Sequence, residues 1–396
     1  MGRAVVAVSF LAIGLGTAPA FLFGFLAPVL QADLALSRAQ IGLLVGLMFG
    51  ATGLGSLPAG RVVELLGARW AVVLDMALLA VALGLPVLVP GYPALVVCAL
   101  LAGVGYALVN VATNVAIAAA LPVERHGVGL ATKTAGVPGI VAVTSLVVPG
   151  IGAVVGWRPV LLGAIPVVAL VALAAALVVP DARGAGRHAP RAPLPAGFWR
   201  FTLAAVLLIG GSQAIYSWAV PFLHESGGAD LPLAGVITAA ASLAALIPMI
   251  GAARLADRLG PGKRVPLAAA LCALTAVAEV AMAVGGGLAL AAAGLVVATA
   301  AQLGAVSLMH ASVVAAAPGA VGRASGMTMV GFYTGALFAA PVFGLLVDLT
   351  GTYAVAWAAC AALTAVAAVC FWWCRWVGRA PVTTGPASLP MGRPAR

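Results

Sequence analysis

The only two asparagines of the chain, Asn110 and Asn114, stand four residues apart inside one long apolar run, and Lys133 stands inside the next. A spacing of four puts both amides on one face of a helix, where they offer stacked donors and acceptors. In lipid, a charge at a helix centre costs about 2.5–3.5 kcal/mol, so each such side chain must face protein, a water-filled space or the interface. Facing a cavity, Lys133 is the natural counter-ion for an anionic solute, and the amides can bind that solute by hydrogen bonds. The alternatives are an amide pair that glues neighbouring helices and a lysine that snorkels to the membrane boundary. Gly136 and Pro138 follow Lys133 and loosen its helix, freeing carbonyls there.

A second group of polar residues lies in the other half of the chain. Ser212, Gln213, Tyr216 and Trp218 fall in one apolar run, and Gln302 and His310 in another. Gln213, Tyr216, Trp218 and Gln302 are candidates for solute contact, against the alternative that the aromatics only pack. His310 is the one histidine within a span and can exchange a proton near neutral pH, against the alternative of a neutral, satisfied core histidine. Of the carboxylates, Asp75 is expected to pair with a loop arginine. Glu279 has no evident role.

The elements that must position these residues follow from composition. Of 396 residues, 64% are hydrophobic and 8% charged, more apolar surface than a soluble fold of this length can cover. The solvent is therefore the lipid bilayer, and at roughly 20 residues per span there is room for about twelve helices. The net charge of +10 does not indicate nucleic acid, because the basic residues sit at the ends of apolar runs and set topology. The five cysteines have no metal-ligand or redox spacing, and no cofactor or metal is expected. The first apolar run reads as a retained helix and not a cleaved leader.

Breaks at charges, Gly/Pro pairs and polar clusters predict helices at 4–30, 39–60, 70–90, 93–120, 130–154, 157–179, 200–223, 232–252, 265–284, 288–316, 324–348 and 353–376. They divide into a first six-helix bundle at 1–179, a basic, proline-rich linker at 180–199, a second bundle at 200–376 and a disordered tail at 377–396. With the N-terminus inside, only Arg38 and Arg158 lie outside and Lys133 lies in or near the fifth helix. All other Lys and Arg are then cytoplasmic, which predicts an inner (plasma) membrane protein with both termini inside.

The halves repeat. Gly60-Arg61-Val62-Val63-Glu64-Leu65-Leu66-Gly67 follows helix 2 as Ala253-Arg254-Leu255-Ala256-Asp257-Arg258-Leu259-Gly260 follows helix 8. Pro149-Gly150-Ile151-Gly152 recurs, at nearly the same offset, as Pro341-Val342-Phe343-Gly344. Gly60-x-x-x-Glu64-x-x-Gly67-x-Arg69 and its second copy, with Lys263 and Arg264 after it, resemble the signature loop of the major facilitator superfamily. The resemblance extends over nearly the whole chain. It implies two pseudo-symmetric six-helix bundles, a cavity lined by helices 1, 4, 7 and 10, and transport by alternating access. It also implies that Gly60, Arg61, Glu64, Gly67, Arg69, Arg254, Asp257, Arg258 and Gly260 form a gate holding the outward-open state. Glu64 stands where the family usually has Asp and Leu65 where a basic residue is common, which weakens the first copy. The bland alternative is that the arginines only anchor loops to headgroups. Gly46, Gly50 and Gly53 in helix 2, and Gly331 and Gly335 in helix 11, are expected where the bundles rock against each other.

A narrower resemblance, to the cyanate-permease-like branch, runs through Asn110-Val111-Ala112-Thr113-Asn114, Gly136-Val137-Pro138, Gly156-Trp157-Arg158 and Phe343-Gly344-x-x-x-Asp348-x-x-Gly351-x-Tyr353. Members of that branch carry diverse solutes, so it does not name the cargo. The expectation is a monomeric secondary carrier that imports a small solute, an anion if Lys133 faces the cavity, driven by the solute's own gradient or by symported protons. The competing reading is a drug or metabolite exporter of the same superfamily, but Val148, where efflux antiporters usually carry Gly before the helix 5 proline, counts against it. An enzyme is excluded, since there is no nucleotide loop, no paired catalytic carboxylates and no His/Cys cluster.

Overall fold

A computed structural model describes residues 2–183, 193–375 and 377. Among them, eleven helices are long and apolar enough to cross a membrane, and one bent pair makes a twelfth. We number them α1 (Gly2–Phe25), α2 (Arg38–Leu66), α3 (Ala68–Leu88), α4 (Tyr92–Ala120), α5 (Val123–Val155), α6 (Trp157–Val178), α7 (Trp199–Ser217 with Ala219–Glu225), α8 (Leu231–Ala256), α9 (Arg264–Val284), α10 (Leu288–Ala316), α11 (Val321–Thr350) and α12 (Tyr353–Cys374). Residues 184–192 of the expected linker, with Arg187 and Arg191, lie outside the described residues. So do Trp376 and the expected tail from 378 onward.

Helices α1 to α6 pack among themselves, as do α7 to α12, and the bundles meet chiefly through α2 on α11 and α5 on α8. Exchanging the halves turns one of these contacts into the other. This is the pseudo-twofold relation that the repeated loops and proline motifs imply.

Two helices are broken where proline removes a donor. Pro221 cannot give an N–H to Ser217, and α7 bends by 58° there. The freed Ser217 carbonyl lies against Gly24 of α1, where no larger residue fits. In α5, Pro138 interrupts the ladder in the same way, and Ala135 separates His126–Thr134 from Gly136–Val155. The break sets the short piece bearing Lys133 against α4.

Three expectations change. Helix 2 runs to Leu66 and helix 8 past 252, because Arg and Glu are good helix residues once the helix leaves the lipid. The first helix ends at Phe25 and gives way to a short helix, Ala27–Leu34, with proline in its first turn. That short helix is tied to α6: Asp33 accepts the Trp157 indole N–H at 2.8 Å and pairs with Arg158 at 2.9 Å. Finally, Gly42, Gly46, Gly50 and Gly53 do bring α2 onto α11, but Gly331 and Gly335 face Thr202, Val206 and Gly210 of α7, inside the second bundle.

Candidate functional site

Lys133 is 3% exposed, and its ammonium donates to Asn114 Oδ1 (2.7 Å), Asn110 Oδ1 (3.1 Å) and the Asn110 carbonyl (3.2 Å). The spacing of four on α4 puts both amide oxygens on the side where the broken α5 delivers the lysine. An ammonium only donates, so the amides must turn their oxygens to it and their NH2 groups away. Asn114 is exposed and Asn110 half-buried, which leaves those NH2 donors accessible. The charge, however, is not matched. The ion pairs among the described residues are Arg38 with Glu225 and Asp348, and Arg158 with Asp33, none of which involves Lys133. Three neutral oxygens satisfy the lysine's hydrogen bonds and leave one positive charge in a place shielded from water.

Tyr333 extends this cluster across the bundle boundary. Its hydroxyl reaches the Asn110 side chain, and it lies within electrostatic reach of Tyr106, one turn along α4. The sequence reading passed over it. The signal was the 106/110/114 register on α4, which marks a polar stripe needing a partner opposite.

Helices 7 and 10 supply a second cluster. The Tyr216 hydroxyl donates to Gln302 Oε1 at 2.8 Å, and Phe21 of α1 meets the Tyr216 ring edge-on at 6.1 Å. Gln213 is buried three residues before Tyr216. His310 lies two turns beyond Gln302, about 12 Å along α10, and is exposed although densely surrounded by protein. Trp218 differs from the others. It is 1% exposed, donates its indole N–H to the Ala340 carbonyl at 3.2 Å and stacks on Phe343 at 5.8 Å, so it packs α7 against α11. The reason is the bend at Pro221, which sets Trp218 at the corner facing α11.

Asp75 does not pair with a loop arginine. It is 1% exposed inside the first bundle, and its Oδ2 has no hydrogen-bond partner. In the first signature loop, Arg69 Nε donates to the Val179 carbonyl at 2.8 Å, within its own bundle, and Gly67, at φ 83°, turns the chain from α2 into α3. Arg61, Glu64, Arg254 and Arg258 are exposed, and Gly60 and Gly260 have open space around them. The side chain of Asp257 lies outside the described residues.

At the opposite end the bundles are clasped. Arg38 of α2 is ion-paired with Glu225 of α7 and, at 3.6 Å, with Asp348 of α11. Gly42 and Gly344 allow backbone-to-backbone contact beneath them, with Ala340 and Arg38 respectively. The space between the bundles is thus closed at the Arg38 end. Size alone does not pick out the site: a groove of about 1010 Å3 between α9 and α12, lined by residues such as Ala273, Val277 and Ala362, is wholly apolar in its side chains and lies on the second bundle alone.

Two repeated six-helix bundles that carry buried polar clusters and are clasped at one end have the architecture of a carrier. The sequence decides the family, because the Major Facilitator Superfamily model matches residues 7–329 and 203–390. The chain belongs to the major facilitator superfamily. It is therefore a multi-pass membrane transporter and not an enzyme. In three dimensions this superfamily member is similar to a mutant of the nucleoside transporter NupG, with a TM-score of 0.75 at 16% identity over 94% of this chain and 99% of that one. It is also similar to a D-xylose-proton symporter, with a TM-score of 0.77 at 14% identity over 93% and 97%. A bacterial homologue of the human lysosomal transporter Spinster, inward-facing and occupied, gives a TM-score of 0.72 at 17% identity over 93% and 96%. At such identities the likeness establishes the fold. No curated protein sequence matches the chain.

Proposed function

We propose that the chain is a secondary carrier importing a small anionic solute together with protons, and that the solute binds against Lys133, Asn110 and Asn114. One observation carries the reading: the Lys133 ammonium is buried and hydrogen-bonded to neutral oxygens only. A charge held so, with no carboxylate beside it, is stabilised by an anion that enters. The amide NH2 groups that Lys133 turns outward supply donors for that anion's oxygens. Gln213, Tyr216, Gln302 and His310 complete the chamber from the second bundle, with His310 as a group that can take up a proton.

The boundaries that fit this reading are a first bundle over 1–179, a linker over 180–199 and a second bundle over 200–376. With the basic loops in the cytoplasm, the Arg69 end faces inward and the conformation is inward-open. The inward-facing Spinster homologue supports that orientation, and the D-xylose-proton symporter supports proton coupling. The cyanate-permease-like motifs support membership of that branch, and the reading is of a monomer in the inner membrane.

The test is a thermal-shift screen of purified protein against small carboxylates, inorganic anions and nucleobases, followed by uptake into proteoliposomes. Stabilisation by an anion, with uptake that rises when the outside is acidified, supports the reading. Stabilisation by neutral solutes alone overturns it.

A further inference from the structure

The apolar groove between α9 and α12 takes no part in the site above. All fourteen side chains that line it are alanine or valine, and it holds about 1010 Å3. Helix α9 packs on α8, α10 and α12, and α12 packs on α7, α9 and α11, all within the second bundle. The groove therefore opens away from the first bundle, toward the acyl chains, and Val277, Val284 and Val369 along it are exposed. The corresponding pair in the first bundle is α3 with α6, and α6 exposes Leu162, Leu170, Leu173 and Leu177. A trough walled by small residues is thus a property of the second bundle and not of the repeat.

One end of the groove is basic. Spans alternate in direction, so α7 and α9 start at the membrane face where α12 ends. That face carries Arg200 in the first turn of α7, Lys263 and Arg264 at the start of α9, and Arg375 directly after α12. Helix α9 has no acidic residue in its first turn and α12 has none at all, while the side chain of Asp257, ahead of α9, lies outside the described residues. Trp372 follows Ala365 and Ala368 by seven and four positions, which puts it on the groove side of α12, and it is 45% exposed. The Arg375 guanidinium lies 4.0 Å from the centroid of that indole, a cation–π contact that holds the charge at the mouth of the groove. From Val369, about 9 Å inward of Arg375, the groove runs about 22 Å along α12 to Ala354. That exceeds the roughly 15 Å of hydrocarbon in one leaflet. Its far end, at Val284 and Ala354, adjoins Gly285-Gly286-Gly287 and Thr352, where there is no basic residue.

We propose that the groove binds an acyl chain of an anionic phospholipid whose phosphate is held by Arg375 and Lys263. Small side chains let the acyl chain lie close to both helix backbones, which adds dispersion contacts. The basic residues attract a headgroup with net negative charge more than one that carries its own ammonium. Charge also selects lipid over a second copy of this chain. A twofold axis along the membrane normal would bring the basic ends of both copies together, and like charges facing each other across an interface are unfavourable. Neither the transported solute nor the gate enters this inference, so it stands apart from the anion-carrier reading.

The experiment is native mass spectrometry of the full chain in a neutral detergent, with phosphatidylglycerol or phosphatidylcholine added at equal concentration. Wild type is expected to retain phosphatidylglycerol at least about tenfold better, because each basic residue near the headgroup favours it about fivefold. Ala365→Phe, at an exposed position in the groove, should lower retention of both lipids. Lys263→Gln combined with Arg375→Gln should remove the preference between them. Leu170→Phe on α6 should change neither. In wild type, phosphatidylglycerol with a photoreactive group in its acyl chain should label peptides of α9 and α12. Equal retention of the two lipids by wild type, full retention by Ala365→Phe or an unchanged preference in the double variant overturns the proposal. So do dimers that Ala365→Phe dissociates, which would assign the groove to a second copy. If a variant does not fold, the labelling decides, and label spread evenly over all lipid-facing helices contradicts the site.

Discussion

Asp348 caps a helix of the opposite bundle: its Oδ2 accepts the Ala39 N–H at 2.8 Å and its Oδ1 the Arg38 N–H at 3.2 Å, at the start of α2. A carboxylate at a helix N-terminus meets unpaired N–H groups and the positive end of the dipole. Asp348 also faces the Arg38 guanidinium at 3.6 Å, and Arg38 pairs with Glu225 and lies 6.0 Å over the Tyr353 ring. One residue of α2 thus ties α7, α11 and α12 to the first bundle. The charges are about a quarter to a third exposed, so solvent screens them. Arg38→Ala should weaken the closed state by about 1 kcal/mol, roughly a fivefold change in the ratio of conformers. Distances between spin labels across that end will read it, and an unchanged distribution would show that the clasp is incidental.

Bulk at the contact between α1 and α7 should act more strongly. The Gly24 position abuts the Ser217 carbonyl, and a side chain there collides with backbone. Gly24→Val is expected to hold the Arg38 end open and abolish net transport while expression stays normal. Normal transport by that variant would mean that this contact opens and closes without consequence.

The Tyr216 to Gln302 hydrogen bond joins α7 to α10. Tyr216→Phe removes one partner of the buried Gln302 amide and leaves its Oε1 without that donor, so a cost of about 1–3 kcal/mol is expected. Thermal unfolding should show a small loss, with solute affinity changed less than about tenfold. Complete loss of binding would make Tyr216 a primary contact.

Glu279 offers a test of burial. Its two oxygens have no hydrogen-bond partner and the residue is 0% exposed, so an apolar replacement of similar length removes an unsatisfied polar group. Glu279→Met should unfold at the same temperature as wild type or a higher one. A marked fall would show that the carboxyl holds α9 and α12 together, with Thr364 as its partner.

Much of this could be read from residue types alone. Lys133, Asn110 and Asn114 stood out because a polar side chain in an apolar run must face something other than lipid, and the structure brings the three within hydrogen-bonding distance. The helix count and the two-bundle layout followed from apolar length and from the repeated loops. The clasp was not legible. Arg38 read as a topology charge, and its partners lie 187 and 310 residues away, a separation that leaves no periodic trace. Asp75 was assigned to a loop arginine because its distance from the helix end can be counted, whereas the direction it faces depends on how α1 and α4 pack. Gly331 and Gly335 have the spacing of an interface, but spacing does not say which neighbour, and α7 takes them. Trp218 sits at a bend that Pro221 announces, yet the angle that turns the indole to α11 is a tertiary outcome.

The central claim is that the Lys133 charge is answered by an anion. Isothermal titration of the anion that stabilises the protein most, into wild type and Lys133→Met, tests it most directly. Lys133→Met is expected to fold and to bind at least about tenfold more weakly, which is about 1.4 kcal/mol. Equal affinity in the two proteins would contradict the claim.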